Sequence, residues 1–142
     1  MIELLLSAFW ASGADFTQAF RDMSELELDS WLTSQSWGLA KLSKIKKFKT
    51  FLEAYKKRLE NENISEEERM ARMQQINPRY VLRNWMAQKA IEKAEKEQDF
   101  SMVQLLLKIL SNPYEKQAEA ETEGFADPVP DWSKDLVVSC SS

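Results

Sequence analysis

The sequence predicts an all-α protein: an irregular bundle of six or seven helices with an extended C-terminal tail. Three observations predict it. Leu42, Ile45, Phe48, Leu52, Tyr55 and Leu59 recur at three- and four-residue steps, the stripe of an amphipathic helix. Ser24 with Glu27, and Ser65 with Glu68, have the spacing of capping boxes, in which a hydroxyl and a carboxylate serve unpaired amides at a helix start. Helical periodicity returns over 77–94 and again over 102–110.

In chain order, Met1 to Ala11 reads as a helix that begins abruptly in apolar residues. Leu4, Leu5, Ala8 and Phe9 require a cover, either on the chain's own domain or on a part of a longer protein from which this chain was cut. Ser12-Gly13 is a break, and Ala14 to Met23 a short helix with Phe16, Phe20 and Met23 on one side. The Ser24 box opens a helix carrying Leu26, Leu28, Trp31 and Leu32, and Gln35 to Gly38 connects it to the long helix Leu39 to Glu60. The Ser65 box starts a further helix, with Glu66 and Glu67 suited to its positive end.

Asn77-Pro78 reads as the start of the next helix, because Asn caps and Pro at the first position forfeits no hydrogen bond. That helix places Arg79, Arg83 and Asn84 among Tyr80, Leu82 and Trp85, and a guanidinium in such company usually has a fixed acceptor to meet. Asp99-Phe100-Ser101 turns the chain into a helix whose Val103, Leu106, Leu107 and Leu110 face inward, and Pro113 ends it. Residues 1–111 thus form the helical region. Residues 112–142 form an acidic linker and tail, mobile in its first part, with Trp132, Leu136, Val137 and Val138 as anchors near the Ser-Cys-Ser-Ser end.

Composition narrows the function. A content of 44% hydrophobic and 30% charged residues is that of a soluble globular chain. No histidine occurs, which removes Ser-His-Asp triads and most zinc sites. Cys140 is the single cysteine, so no internal disulfide forms. No glycine-rich loop cradles a phosphate, and Met1 to Trp10 is too short for a membrane span. The lysines from Lys41 to Arg58 admit a phosphate-binding reading, but the net charge of −4 and the position of the aromatics on the buried stripe favour a solvated face. No nucleic-acid or membrane partner is therefore expected; the residues alone also admit an independent helical module that binds a partner protein through an exposed apolar face. The tail carboxylates Glu119, Glu121 and Glu123 lack ligand spacing and read as solvated.

Asn-Pro-Arg-Tyr-Val-Leu-Arg-Asn at 77–84, Ala87-Gln88, Ala90-Ile91, Asp99-Phe100-Ser101, Pro113-Tyr114 and the terminal Ser139-Cys140-Ser141-Ser142 resemble the C-terminal part of the selenoprotein O family. Asp15-Phe16-Thr17, Phe20-Arg21, Tyr55, Arg58-Leu59 and Arg72-Met73 extend the resemblance over nearly the whole chain. The resemblance implies the rear part of a kinase-like fold that binds ATP with a divalent metal, magnesium, and transfers AMP to hydroxyl side chains of proteins. It implies mitochondrial placement for eukaryotic members and cytoplasmic placement for bacterial ones. The family's nucleotide- and metal-binding residues map to no position here, so this segment is expected to bind no cofactor alone and to have no catalytic residue of its own. Its implied partners are the upstream kinase-like part, which Leu4, Leu5 and Phe9 would face, and the protein substrates of the whole enzyme. In animal members the position matching Cys140 is often selenocysteine, which makes Cys140 a candidate redox thiol; without the resemblance it reads as an inert exposed cysteine. Asn77, Pro78, Arg79, Tyr80, Arg83 and Asn84 form the structural motif, with bracing favoured over contact with a nucleotide pocket.

Overall fold

Apolar residues at helical spacing build seven α-helices, and no strand among the described residues, in a computed structural model that describes residues 1–136. The helices are α1 (Ile2–Ser12), α2 (Phe16–Glu25), α3 (Lys46–Glu62), α4 (Glu66–Ile76), α5 (Asn84–Glu97), α6 (Ser101–Ser111) and α7 (Ala118–Thr122). Contacts divide the chain into two compact units, Met1–Pro78 and Arg79–Ser142, each with its own apolar core.

In the first unit α1 packs on α3, and α2 on α4. Leu5, Ala8 and Phe9 of α1 are buried with Met23, Trp31, Leu42, Phe48 and Leu52. The expected outward role of Leu4, Leu5 and Phe9 is therefore corrected: Leu5 and Phe9 lie in the core of their own unit, with Leu4 packed against it. Gly13 ends α1 at φ 58°, a left-handed conformation that a residue without Cβ takes without strain. The long lysine-rich segment is not one helix. A short 3-10 turn, Leu42–Lys44, precedes an extended Ile45, and α3 begins at Lys46. Its aromatic stripe stacks inward, with Trp31 centroids 6.4 Å from Phe48 and 5.9 Å from Tyr55.

The two capping boxes part company. Ser65 Oγ accepts from the Glu68 amide at 3.1 Å and starts α4 as expected. Ser24 instead lies inside α2, where its hydroxyl donates to the Phe20 carbonyl at 2.6 Å, and only a 3-10 turn, Leu28–Ser30, follows. A serine hydroxyl can bond back along a helix as readily as cap one, and here burial selects the former.

Asp22 joins α2 to the turn before α3. Its carboxylate accepts from Gln18 Nε2 at 2.7 Å and from the Gly38 amide at 2.9 Å. Burial raises its pKa above the ordinary value, against these hydrogen bonds. A Cβ at Gly38 would lie 2.4 Å from Asp22 Oδ2 and 2.7 Å from the Ala19 nitrogen and the Gln18 carbonyl carbon. Two of those atoms are helix backbone and cannot yield. Gly38→Ala is expected to destabilise the first unit by about 2 kcal/mol in urea melts, the overpacking range. An unchanged midpoint would show that the approach is loose.

In the second unit, three residues connect α5 to α6, and the two helices pack together. Met102, Leu106 and Ile109 are buried, with Leu105 and Leu110 against them. This corrects the inward set: Leu106 and Leu110 belong to it, whereas Val103 and Leu107 are exposed. The stretch holds apolar residues on nearly every position, so periodicity alone does not choose the face. The acidic segment is also corrected. Part of it is helical as α7, and Ala120 and Phe125 are buried in the core with Trp85 edge-on to Phe125. Trp132, expected as an anchor, is exposed, while Leu136 packs on the core. Val137, Val138 and Cys140 lie outside the described residues.

Candidate functional site

The segment Asn77–Asn84 carries the predicted motif, and its local structure differs from expectation. Asn77 is the last residue of α4's turn, its amide bonded to the Met73 carbonyl at 2.9 Å, not the cap of a new helix. Residues 79–83 are non-helical, with a bend at Arg79 and an extended Arg83, and α5 starts at Asn84. Pro78 keeps Asn77 out of the helical region, at φ −102° and ψ 108°. The chain then stays out of a helix because the polar groups of Arg79 and Tyr80 find partners elsewhere.

Those partners belong to the second unit. The Pro113 carbonyl accepts from the Arg79 amide at 2.8 Å and the Tyr80 amide at 3.2 Å. Arg79 Nε and Nη2 donate to the two oxygens of Glu121 at 2.8 and 2.9 Å, a bidentate fork. The buried Tyr80 hydroxyl donates to Glu121 Oε1 and accepts from the Gln117 amide at 2.9 Å. Gln117 Nε2 reaches the Ile109 and Asn112 carbonyls at the end of α6. One carboxylate thus ties this segment to α7, and the Gln117 side chain ties α7 to α6. Arg79's hydrogen bonds, assisted by Tyr80 and opposed by burial, lower the Glu121 pKa to about 2. Burial, with the Glu121 carboxylate beside it, raises the Tyr80 phenol above its ordinary pKa, so it remains a donor.

Glu121 is therefore only partly exposed and held by Arg79 and Tyr80, which corrects its reading as a free surface charge. Glu123 pairs with Lys89 at 2.7 Å, and Glu119 with Lys108 at 2.5 Å. The signal for Glu121 was the acceptor that Arg79 requires; alternate spacing along the chain concealed which of three glutamates supplies it. Arg83 and Asn84 lie at the start of α5, before the buried Trp85.

Asn77 belongs to the first unit's polar cluster. Its side-chain amide donates to Ser24 Oγ at 3.0 Å, and its carbonyl accepts from Arg21 Nη1 at 3.0 Å. Arg21 also pairs with Glu25 at 2.6 Å. Beside it, the fully buried Arg69 donates to the Met23 and Leu26 carbonyls at 2.7 and 2.8 Å and pairs with Glu66 at 2.7 Å. Its guanidinium lies 5.2 Å from the centre of the Trp31 ring. Burial raises the Glu66 pKa, but hydrogen bonds from Arg69 and the Leu28 amide outweigh it and hold the carboxyl below its ordinary value. Sequence reasoning missed Arg69. Its only sequence signal was the three-residue spacing from Glu66, common on exposed helix faces.

Chemically, these arrangements hold helices together. Each strong acid or base described here faces a structural partner, and no cluster of three His, Cys, Asp or Glu side chains suited to a metal ion occurs among the described residues. No described helix is long and apolar enough to cross a membrane.

Comparison with known proteins places this geometry. A family model described as "Protein adenylyltransferase SelO" matches residues 1–111. The whole chain is similar to the protein nucleotidyltransferase YdiU of Thioalkalivibrio sulfidiphilus, 38% identical over 142 residues. It is likewise similar to the protein of that name from Pseudomonas fluorescens strain SBW25, 40% identical over 143 residues, and from Herminiimonas arsenicoxydans, 39% identical over 142. The chain spans 28% of the length of each of these relatives, in their C-terminal part.

Proposed function

The chain belongs to the SelO family of protein adenylyltransferases, and from that premise we propose that it serves as the helical C-terminal portion of such an enzyme. The whole enzyme would use ATP with magnesium to transfer AMP to Ser, Thr or Tyr hydroxyls of proteins. In this reading the segment buttresses the kinase-like part that precedes it and supplies no reacting group to the transfer. One observation carries the reading: similarity covers this entire chain but little more than a quarter of each relative. The polar clusters of both units support it, since Arg21, Arg69, Arg79 and Glu121 are spent on holding backbone and helices in place. Cys140 would act as a redox thiol that pairs with a cysteine of the preceding part. The placement of the whole enzyme, mitochondrial in eukaryotes or cytoplasmic in bacteria, follows the same reading.

A chimera tests it. This chain replaces the matching C-terminal segment of the Pseudomonas fluorescens relative, and labelled AMP transfer from ATP to protein is measured with magnesium present. The chimera is expected to transfer AMP, the relative truncated before that segment to lose transfer, and the 142-residue chain alone to transfer none. Transfer by the 142-residue chain unaided, or full transfer by the truncated relative, overturns the proposal. Mass mapping of the oxidised chimera reads out the thiol separately: Cys140 found only as a free thiol removes the redox role.

A further inference from the structure

The first helix has apolar residues on two sides. Leu5, Ala8 and Phe9 face the core, and Ile2, Leu6 and Trp10 recur at four-residue steps along the side next to it. Those three are 65%, 53% and 93% exposed. Glu3 is the only charged residue of α1. A helix apolar around most of its circumference belongs in an interior, not at a surface. Single exposed apolar residues are ordinary, but three large ones in one stripe mark a surface that another body covers.

We propose that the Ile2–Leu6–Trp10 side of α1 is the docking surface for the N-terminal part of a full-length chain of this family. The proposal rests on the reading that this segment works joined to that part. The relatives say what the occupant is: this chain matches their C-terminal 28%, so most of their length precedes the position of Met1. The stripe falls within the first ten residues after that junction. A chain that enters α1 from upstream is held close to it, and a tethered neighbour covers an adjacent apolar surface at high effective concentration. The surface calls for an apolar, uncharged counterpart, because a charge placed on Trp10 or Leu6 would lose its hydration without a partner.

Hydroxyl-radical oxidation of Trp10, read by mass spectrometry, tests the proposal in the 142-residue chain and in the chimera described above. Trp10, open to solvent in the 142-residue chain, is expected to oxidise several-fold more slowly in the chimera. Trp10→Glu and Leu6→Glu are expected to lower the melting temperature of the chimera while leaving that of the 142-residue chain unchanged. Equal oxidation rates in the two proteins overturn the proposal. So does protection of Trp10 in the 142-residue chain that grows with concentration, which would assign the stripe to a second copy. AMP transfer by the same chimera separates the two readings. Transfer with Trp10 still open sinks the docking surface alone, and a covered Trp10 without transfer sustains the surface while the functional reading falls.

Discussion

Arg69→Ala is expected to destabilise the first unit by about 3 kcal/mol, the low end for breaking a buried ion pair. The side chain of Arg69 is 1% exposed and makes three kinds of contact at once. Its two terminal nitrogens serve the Met23 and Leu26 carbonyls, which end α2 and begin the turn to Trp31. Its charge meets Glu66, and its plane lies against Trp31. Alanine removes all of these and leaves the buried Met23 carbonyl without that donor, so the desolvation penalty adds to the lost bonds. Arg69→Lys keeps the charge but not the fork, and restores only part of the loss. Arg72, one turn further on, pairs with Glu68 on an exposed face, so Arg72→Ala is expected to change stability by under about 0.5 kcal/mol. Urea unfolding followed by circular dichroism compares the three. An Arg69→Ala loss no greater than that of Arg72→Ala would mean the contacts are dispensable.

The second large effect is at Glu121, and it depends on pH. Folding lowers its pKa from an ordinary 4.5 to about 2, chiefly through the Arg79 fork. Between those values the unfolded chain binds the proton and the folded one does not, so stability rises with pH. The contribution is complete above the ordinary carboxylate pKa and fades as pH falls towards 2. Discounted for the partial exposure of the pair, it amounts to about 1–2 kcal/mol. Glu121→Gln should flatten the dependence of the second unit's stability on pH in the acid range. A slope identical to that of the unsubstituted chain would refute the assignment. Arg79→Ala at neutral pH is expected to remove about 2 kcal/mol, since it leaves a half-buried carboxylate facing Tyr80 alone. Arg79→Lys cannot engage both carboxylate oxygens and should rescue little.

Much of the architecture is readable from residue order. The stripe from Phe48 to Leu59, the Ser65 box and the short connection at 98–100 give helices where helices occur. The Arg79 guanidinium announced an acceptor, and the acceptor exists. What failed did so for identifiable reasons. Asn77-Pro78 has the chemistry of a helix start, yet the segment after it is non-helical, because the Pro113 carbonyl and Glu121, 34 and 42 residues from Arg79, take its donors. Ser24 has cap spacing, yet burial turns its hydroxyl back along α2. In 102–110 apolar residues crowd every side, and only packing selects Met102 and Ile109 over Val103 and Leu107.

By itself the sequence determined the all-helical class, the family and the absence of histidine chemistry, because periodicity and side-chain type are properties of neighbours in the chain. Only the tertiary structure decided which apolar face of α1 is covered, which glutamate holds Arg79 and Tyr80, and that a lone arginine at 69 anchors the end of α2. Those outcomes depend on long-range partners, and the free energy of burying a charge or an amide is settled by the group it meets in space.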